Sequence, residues 1–65
     1  MRFYQMFKTM EDRKDWIKEM KSKHKDFKVC MYKPVKELAK EIYLPQEQIN
    51  TYKYAVIYMY WGEYA

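Results

Sequence analysis

The chain has 65 residues, which is enough for one domain and too few for two. Its 13 lysine and arginine residues outnumber its 9 aspartate and glutamate residues, and the resulting net charge of +4 favours acidic or polyanionic partners. Cys30 is the only cysteine, which excludes an intramolecular disulfide and a multi-cysteine metal site, and the single glycine, Gly62, excludes a phosphate-binding glycine loop.

The first predicted elements are a strand over Arg2 to Lys8 and a helix over Met10 to His24. Apolar residues alternate along the strand, so we expect both of its faces to be at least partly covered. The helix begins after Thr9, whose hydroxyl can accept a hydrogen bond from a free backbone N–H of the first turn. The apolar stripe of this helix is narrow and consists of Trp16, Ile17 and Met20.

The second strand is predicted to begin at Phe27 and to end at Pro34, and alternation divides its side chains into two faces. The apolar face carries Phe27, Val29 and Met31, and the other carries Lys28, Cys30 and Tyr32. A second helix follows over Val35 to Leu44, because apolar residues recur there at helical spacing, and Pro45 ends it. Gln46 to Asn50 are interpreted as a further turn or a brief third helix.

The third strand, Thr51 to Trp61, is rich in β-branched and aromatic residues and contains no glycine or proline. One face carries Lys53, Ala55, Ile57, Met59 and Trp61, and the other carries Val56 together with a tyrosine stripe, defined as Tyr52, Tyr54, Tyr58 and Tyr60. An apolar strand of this length is expected at the centre of the sheet, since at an edge it would invite aggregation.

Together these elements predict an α+β fold for residues 1–65, a single α/β binding domain with the order β-α-β-α-β. A right-handed crossover through the first helix leaves strands one and two parallel, with the third strand antiparallel between them. This predicts a three-stranded mixed sheet of order 1-3-2 with one or two helices packed on it. The side on which the second helix packs is left open. The tyrosine stripe is a core layer if that helix covers it, and an exposed surface if both helices pack on the opposite face.

Residues that could support catalysis are few. His24 lies among lysines and is expected at an exposed helix end, and Cys30 is expected to be a small packed side chain in a strand. We therefore expect no enzyme activity, with no catalytic residues, no cofactor and no metal site. The single cysteine, and the absence of both a signal-peptide pattern and an apolar run of about 20 residues, favour a cytoplasmic protein without a membrane partner.

Two sets of residues are candidates for partner binding. The tyrosine stripe offers large, stiff and amphipathic contact area for a protein, or a stacking platform for unpaired bases. The second set is a group of clustered lysines between the first helix and the second strand. It consists of Lys21, Lys23, Lys25 and Lys28.

The segment from Val35 to Tyr52 carries a further motif. Ala39 lies at the position of a tight helix contact, and Ile49 lies at the anchor position of a second helix. With Leu38, Ile42 and Leu44 at core positions, these 18 residues resemble a DNA-binding helix-turn-helix. The chain departs from that pattern at the turn, where Tyr43 stands in place of the usual glycine.

The sequence therefore predicts a small non-enzymatic protein-binding domain, acting as an adaptor or inhibitor of a larger partner. A protein of this size and character is expected from a phage or another mobile element, with host or defence machinery such as a CRISPR effector as its target. The alternative is a nucleic-acid-binding protein, which would use the helix-turn-helix-like segment on DNA or the tyrosine stripe on single strands. Homodimerisation through an open sheet edge is compatible with either function.

Overall fold

A computed structural model describes residues 2–61 of the chain. It contains three strands and three helices in the order β1-α1-β2-α2-α3-β3. Their bounds are β1 Phe3–Phe7, α1 Met10–Lys23, β2 Lys28–Pro34, α2 Val35–Glu41, α3 Gln46–Thr51 and β3 Tyr54–Met59. The predicted succession of strands and helices is confirmed, and Gln46 to Asn50 do form a brief third helix.

The sheet has the predicted strand order β1-β3-β2, with β3 at its centre. Both neighbouring pairs are antiparallel, so β1 and β2 run in the same direction on either side of β3. The two parallel strands are never neighbours, and the sheet is therefore antiparallel in its pairing rather than mixed. The α+β fold is that of a small domain with an open sheet.

Local signals place the starts of the helices and the end of α1 close to their predicted positions, whereas α2 ends at Glu41 rather than at Leu44. The Thr9 hydroxyl accepts a hydrogen bond from the Asp12 N–H at 3.0 Å, as the capping pattern predicts. His24 closes α1 by donating its backbone N–H to the Met20 carbonyl at 2.9 Å. Pro34 and Pro45 precede the first residues of α2 and α3, where the missing N–H of proline is not needed by the helix.

The central strand β3 is shorter than predicted at both ends, because α3 extends through Thr51 and the strand ends at Met59 rather than at Trp61. Tyr52 and Lys53 connect α3 to β3, and backbone hydrogen bonds hold Lys53 between the end of β1 and the start of α2. The Lys53 N–H donates to the Phe7 carbonyl at 3.0 Å, and the Lys53 carbonyl accepts from the Val35 N–H at 3.0 Å. Of the residues predicted to begin the strand, Thr51 thus belongs to α3, and Tyr52 and Lys53 form the connection between α3 and β3.

Two apolar clusters occupy opposite faces of the sheet. The cluster under α1 contains Phe7, Ile17, Phe27, Val56 and Tyr58. The cluster under α2 and α3 contains Val35, Leu38, Leu44 and Ala55. Since Ala55 and Val56 are adjacent in β3 and both are fully buried, the central strand is covered on both sides. The second helix therefore packs on the face opposite to α1, which resolves the arrangement that the sequence left open.

A β-bulge at Cys30 changes which residues of β2 share a face. Val29 is opposite Tyr58 and Met31 is opposite Ile57, so Cys30 is an extra residue without a partner in β3. One inserted residue inverts the alternation beyond it. Tyr32 consequently lies opposite Val56 on the α1 face, and Met31 lies on the α2 face. The prediction that Phe27, Val29 and Met31 share one face is therefore wrong for Met31, which follows the bulge.

No helix within residues 2–61 is both long enough and apolar enough to cross a membrane.

The packing of α2 on the sheet can be tested by truncating one buried side chain. Leu38 is 2% exposed, and Leu38→Ala is expected to lower the free energy of unfolding by about 2 to 5 kcal/mol, through lost transfer free energy and the cavity left behind. The control is Tyr43→Ala, because Tyr43 is 87% exposed and its removal should change that free energy by only about 0.5 kcal/mol. Urea denaturation followed by circular dichroism measures both variants, and equal losses would contradict the packing.

Candidate functional site

The tyrosine stripe is not an open sheet face, because α1 covers its centre. Tyr58 is 8% exposed and lies in the core cluster with Phe7 and Phe27. Its ring centroid is 5.0 Å from that of Trp16 on α1, in an edge-to-face arrangement. Of the two alternatives that the sequence left open, the core layer is the correct one for Tyr58, and the covering helix is the first one rather than the second.

The other three tyrosines of the stripe do not share one surface. Tyr54 and Tyr60 are half-buried and pack against the α1 cluster. Tyr52 is the C-terminal cap of α3 and packs with the opposite cluster, because β3 begins only at Tyr54. Partner binding by Tyr52, Tyr54 and Tyr60 through their exposed parts stays a prediction.

The four clustered lysines are all exposed, and they belong to α1, the following turn and β2. Lys21 and Lys23 lie in the last turn of α1, Lys25 lies in the following turn, and Lys28 begins β2. Lys23 forms an ion pair with Glu19 at 2.8 Å, and this hydrogen bond and charge lower the pKa of the Glu19 carboxyl. The role of the four lysines in partner binding stays a prediction.

The helix-turn-helix-like segment does form two helices joined by residues 42–45. Ile49 packs against the α2 cluster, as an anchor residue would. The second helix has only six residues, with Glu47 in its first turn and no basic residue in its last turn. Its polar side chains are engaged locally, since the Gln46 amide donates to the Asn50 side-chain oxygen at 3.0 Å. Binding of DNA by this segment stays a prediction.

The two residues considered for catalysis are placed differently from expectation. His24 is 9% exposed rather than on the surface, and its ring centroid lies 4.8 Å from that of Tyr60. Cys30 is exposed rather than packed, since the bulge moves it out of the ladder. Among the described residues, no three histidine, cysteine or acidic side chains are grouped to hold a metal ion.

A concave surface lies between α1 and β2 as an open groove, which we call the α1–β2 groove. Its volume is about 450 Å³. It is lined by Met10, Arg13, Lys14, Ile17, Lys18, Lys21 and Tyr32. Past Tyr32 and Arg13 it continues as a shallower depression toward Pro34 and Tyr54. Its surface is mostly apolar, and four cationic side chains border it.

The groove exists because the two helical layers are displaced toward different edges of the sheet. On its face α1 packs over β1 and β3, whereas α2 packs over β2 and β3 on the other face. The part of the α1 face that belongs to β2 is therefore left incompletely covered. Tyr32, turned to this face by the Cys30 bulge, forms the wall of the groove opposite α1.

The Arg13 side chain of the groove is held by three contacts. Its guanidinium carbon lies 4.9 Å from the centroid of the Tyr32 ring and 5.6 Å from that of Tyr54. An Nη1–H group also donates to the Ala55 carbonyl at 3.1 Å. Two cation–π contacts and one hydrogen bond hold a positive charge in place beside an exposed aromatic ring. The arrangement can receive a carboxylate without first ordering the arginine.

Sequence reasoning missed Met10, Arg13 and Tyr32 as candidate binding residues. A signal for the helical side of the groove is present, because its α1 residues follow the spacing of one helix face. They are Met10, Arg13, Lys14, Ile17, Lys18 and Lys21. The strand side has no such signal, since simple alternation assigns Tyr32 to the opposite face.

Comparisons of the chain with protein-family models, with curated proteins and with solved structures found no match. The expected origin in a phage or mobile element and the expected defence target therefore stay predictions.

The buried position of Tyr58 has a testable consequence at high pH. The pKa of the Tyr58 phenol is raised above its usual value of about 10, mainly by burial and to a smaller extent by the charge of the neighbouring Tyr60. As the pH rises, the phenol therefore loses its proton in the unfolded chain before it does so in the folded chain. Below about pH 10 the neutral phenol contributes its whole stabilisation to the folded chain, and this contribution is lost as the pH rises through the pKa of the folded state. We expect the wild-type chain to lose stability relative to Tyr58→Phe above about pH 10.

Urea denaturation of both proteins from neutral to alkaline pH measures this difference. A difference in the free energy of unfolding that stays constant over the whole range would contradict the burial of the phenol.

Proposed function

We propose that the chain is a non-enzymatic protein-binding domain that acts as an adaptor or inhibitor, with the α1–β2 groove as its main contact surface. The observation that carries the proposal is the pair of Tyr32 and Arg13. Tyr32 is 55% exposed, and Arg13 is fixed over its ring. An exposed aromatic residue beside a constrained arginine is the composition found at energetically dominant positions of protein interfaces.

A neighbouring side chain extends this contact surface. Met10, at the start of α1, is about half exposed and lines the groove. Methionine adapts its shape to a partner, and methionine, tyrosine and arginine are all enriched at interfaces. The groove therefore combines a mostly apolar surface with a charged border, which is the anatomy expected of a protein-binding surface.

The alternative function, nucleic-acid binding, has less support in the geometry. The stacking platform proposed for unpaired bases depends on the tyrosine stripe, whose central residue Tyr58 is covered by α1. The second helix of the helix-turn-helix-like segment supplies an acidic first turn and no basic last turn, so its charges do not favour phosphate contacts. The groove cations would attract a polyanion as well, so single-stranded DNA is a necessary competitor in any binding experiment.

Selection from a random peptide library tests the proposal while leaving the partner unspecified. Peptides displayed on phage are enriched on the immobilised wild-type chain, and the enriched peptides are then synthesised and titrated. We expect them to shift backbone amide resonances of groove residues in NMR spectra. Tyr32→Ala should weaken their binding about tenfold or more, as expected for an aromatic residue at the centre of an interface.

The matched control is Tyr43→Ala, which removes an even more exposed tyrosine outside the groove and should leave binding unchanged. Enriched peptides whose shifts map outside the groove would contradict the proposal. The same holds if single-stranded DNA binds the groove more tightly than every peptide.

A further inference from the structure

We propose that the occupant of the α1–β2 groove is an acidic, extended segment of the partner protein, which adds to the open edge of β2 at Tyr32. This inference rests on the proposed function and specifies the chemistry of the partner. In this arrangement the added segment pairs with the backbone of Tyr32, and its carboxylates face the cations of α1. Backbone geometry, side-chain direction and charge each support it.

The backbone of Tyr32 points away from the sheet. In an antiparallel pair, residues alternate between those that direct their N–H and C=O groups to the neighbouring strand and those that direct them away. The Val35 N–H donates to the Lys53 carbonyl, and this bond sets the alternation along β2. Lys33 and Met31 then bond to β3, whereas both backbone groups of Tyr32 point outward. Pro34 also occupies an outward position, where a missing N–H leaves the β3 pairing intact.

The side chain of an added residue would enter the groove. Directly opposite residues of paired strands place their side chains on the same face. A residue that pairs with Tyr32 therefore directs its side chain to the α1 face, next to the guanidinium of Arg13. One strand addition thus uses the two outward backbone groups and the open space above β2 at the same time. A helical partner would form its backbone hydrogen bonds within its own helix, so it would offer no hydrogen-bond partners to the outward N–H and C=O groups of Tyr32.

The charges bordering the groove select an acidic segment. Lys14, Lys18 and Lys21 follow one another along α1, and within residues 2–61 none of them forms an ion pair. Lys14 and Lys18 are four residues apart, which is about 6 Å along a helix. Alternate side chains of a strand are about 6.7 Å apart, so successive carboxylates on one face of a strand match this spacing. Lys33 is not part of this set, because its ammonium group pairs with Glu41.

The same features disfavour a second copy of this chain at the edge of β2. The chain carries a net charge of +4, and the cations of two copies would be brought together. An occupant of the groove therefore needs negative charge, and a second copy of this chain carries a net positive charge.

A synthetic peptide of about ten residues with alternating glutamate and valine, blocked at both ends, is the first probe, since it is long enough to form a strand. Titration into the isotope-labelled chain at low salt is followed by NMR. We expect the largest amide shifts at the groove residues and at Tyr32. Hydrogen exchange at the Tyr32 N–H should slow at least about threefold at saturation, because that group gains a hydrogen-bond partner.

Two matched changes separate charge from backbone pairing. Lys14→Glu with Lys18→Glu should weaken binding of this peptide about tenfold, whereas Lys36→Glu with Lys40→Glu, which has the same spacing on α2, should leave it unchanged. A version of the peptide with alternate backbone amides methylated should also bind about tenfold more weakly, since it lacks the donors that a strand addition needs.

Three results of the titrations described above would each overturn the inference. They are equal effects of the two double variants, unchanged binding of the methylated peptide, and unchanged exchange at the Tyr32 N–H. These failures are distinct from failure of the proposed function. If library-selected peptides bind the groove but are neutral, basic or helical, the groove is a protein-binding surface with a different occupant. If the glutamate peptide is displaced by single-stranded DNA at equal charge concentration, the groove is a general polyanion site and the inference is wrong.

Discussion

The insertion of Cys30 into β2 determines which side chains of this edge strand face each helix. Without the extra residue in the ladder, strict alternation would place Tyr32 toward α2 and Met31 toward α1. With it, Val29 and Tyr32 share the α1 face, although they are three residues apart. The contact of Arg13 with the Tyr32 ring, and with it the wall of the α1–β2 groove, depends on this one local irregularity.

The bulge has this effect because the two sheet faces are covered unequally at the edges. Both helical layers cover β3, whose Ala55 and Val56 are fully buried, but α1 extends over β1 and α2 extends over β2. Contacts between aromatic rings stabilise the small core under α1, where Trp16 contacts Phe7, Phe27 and Tyr58. The consequence is an incompletely covered strip over β2, and that strip is where the proposed function lies.

Patterns that depend on local chemistry could be predicted from the sequence. The Thr9 cap, the prolines before α2 and α3, and the position of β3 at the centre of the sheet all follow from capping preferences, proline geometry and strand composition. The strand order also follows, because the handedness of the first crossover and the apolar character of β3 leave few topologies.

Features that depend on tertiary contacts could not be predicted. Alternation alone cannot reveal a bulge, so it places Tyr32 on the wrong face and gives no sign that Cys30 has no partner in β3. Both faces of β3 are apolar in sequence, so composition does not decide which helix covers Tyr58. The burial of His24 against Tyr60 likewise results from the position of α1 over the sheet and has no signal among the lysines around it.

The groove and both proposals require that the Tyr32 ring faces α1 and lies beneath the Arg13 guanidinium. Nuclear Overhauser effects between the Tyr32 ring protons and the Arg13 side chain test this arrangement directly, together with the ring-current shift of the Arg13 δ-methylene protons. We predict strong effects to Arg13 and an upfield shift of those protons. Effects that instead join the Tyr32 ring to Leu38 on α2 would contradict the arrangement, since they would mean that β2 has no bulge and the groove has no strand wall.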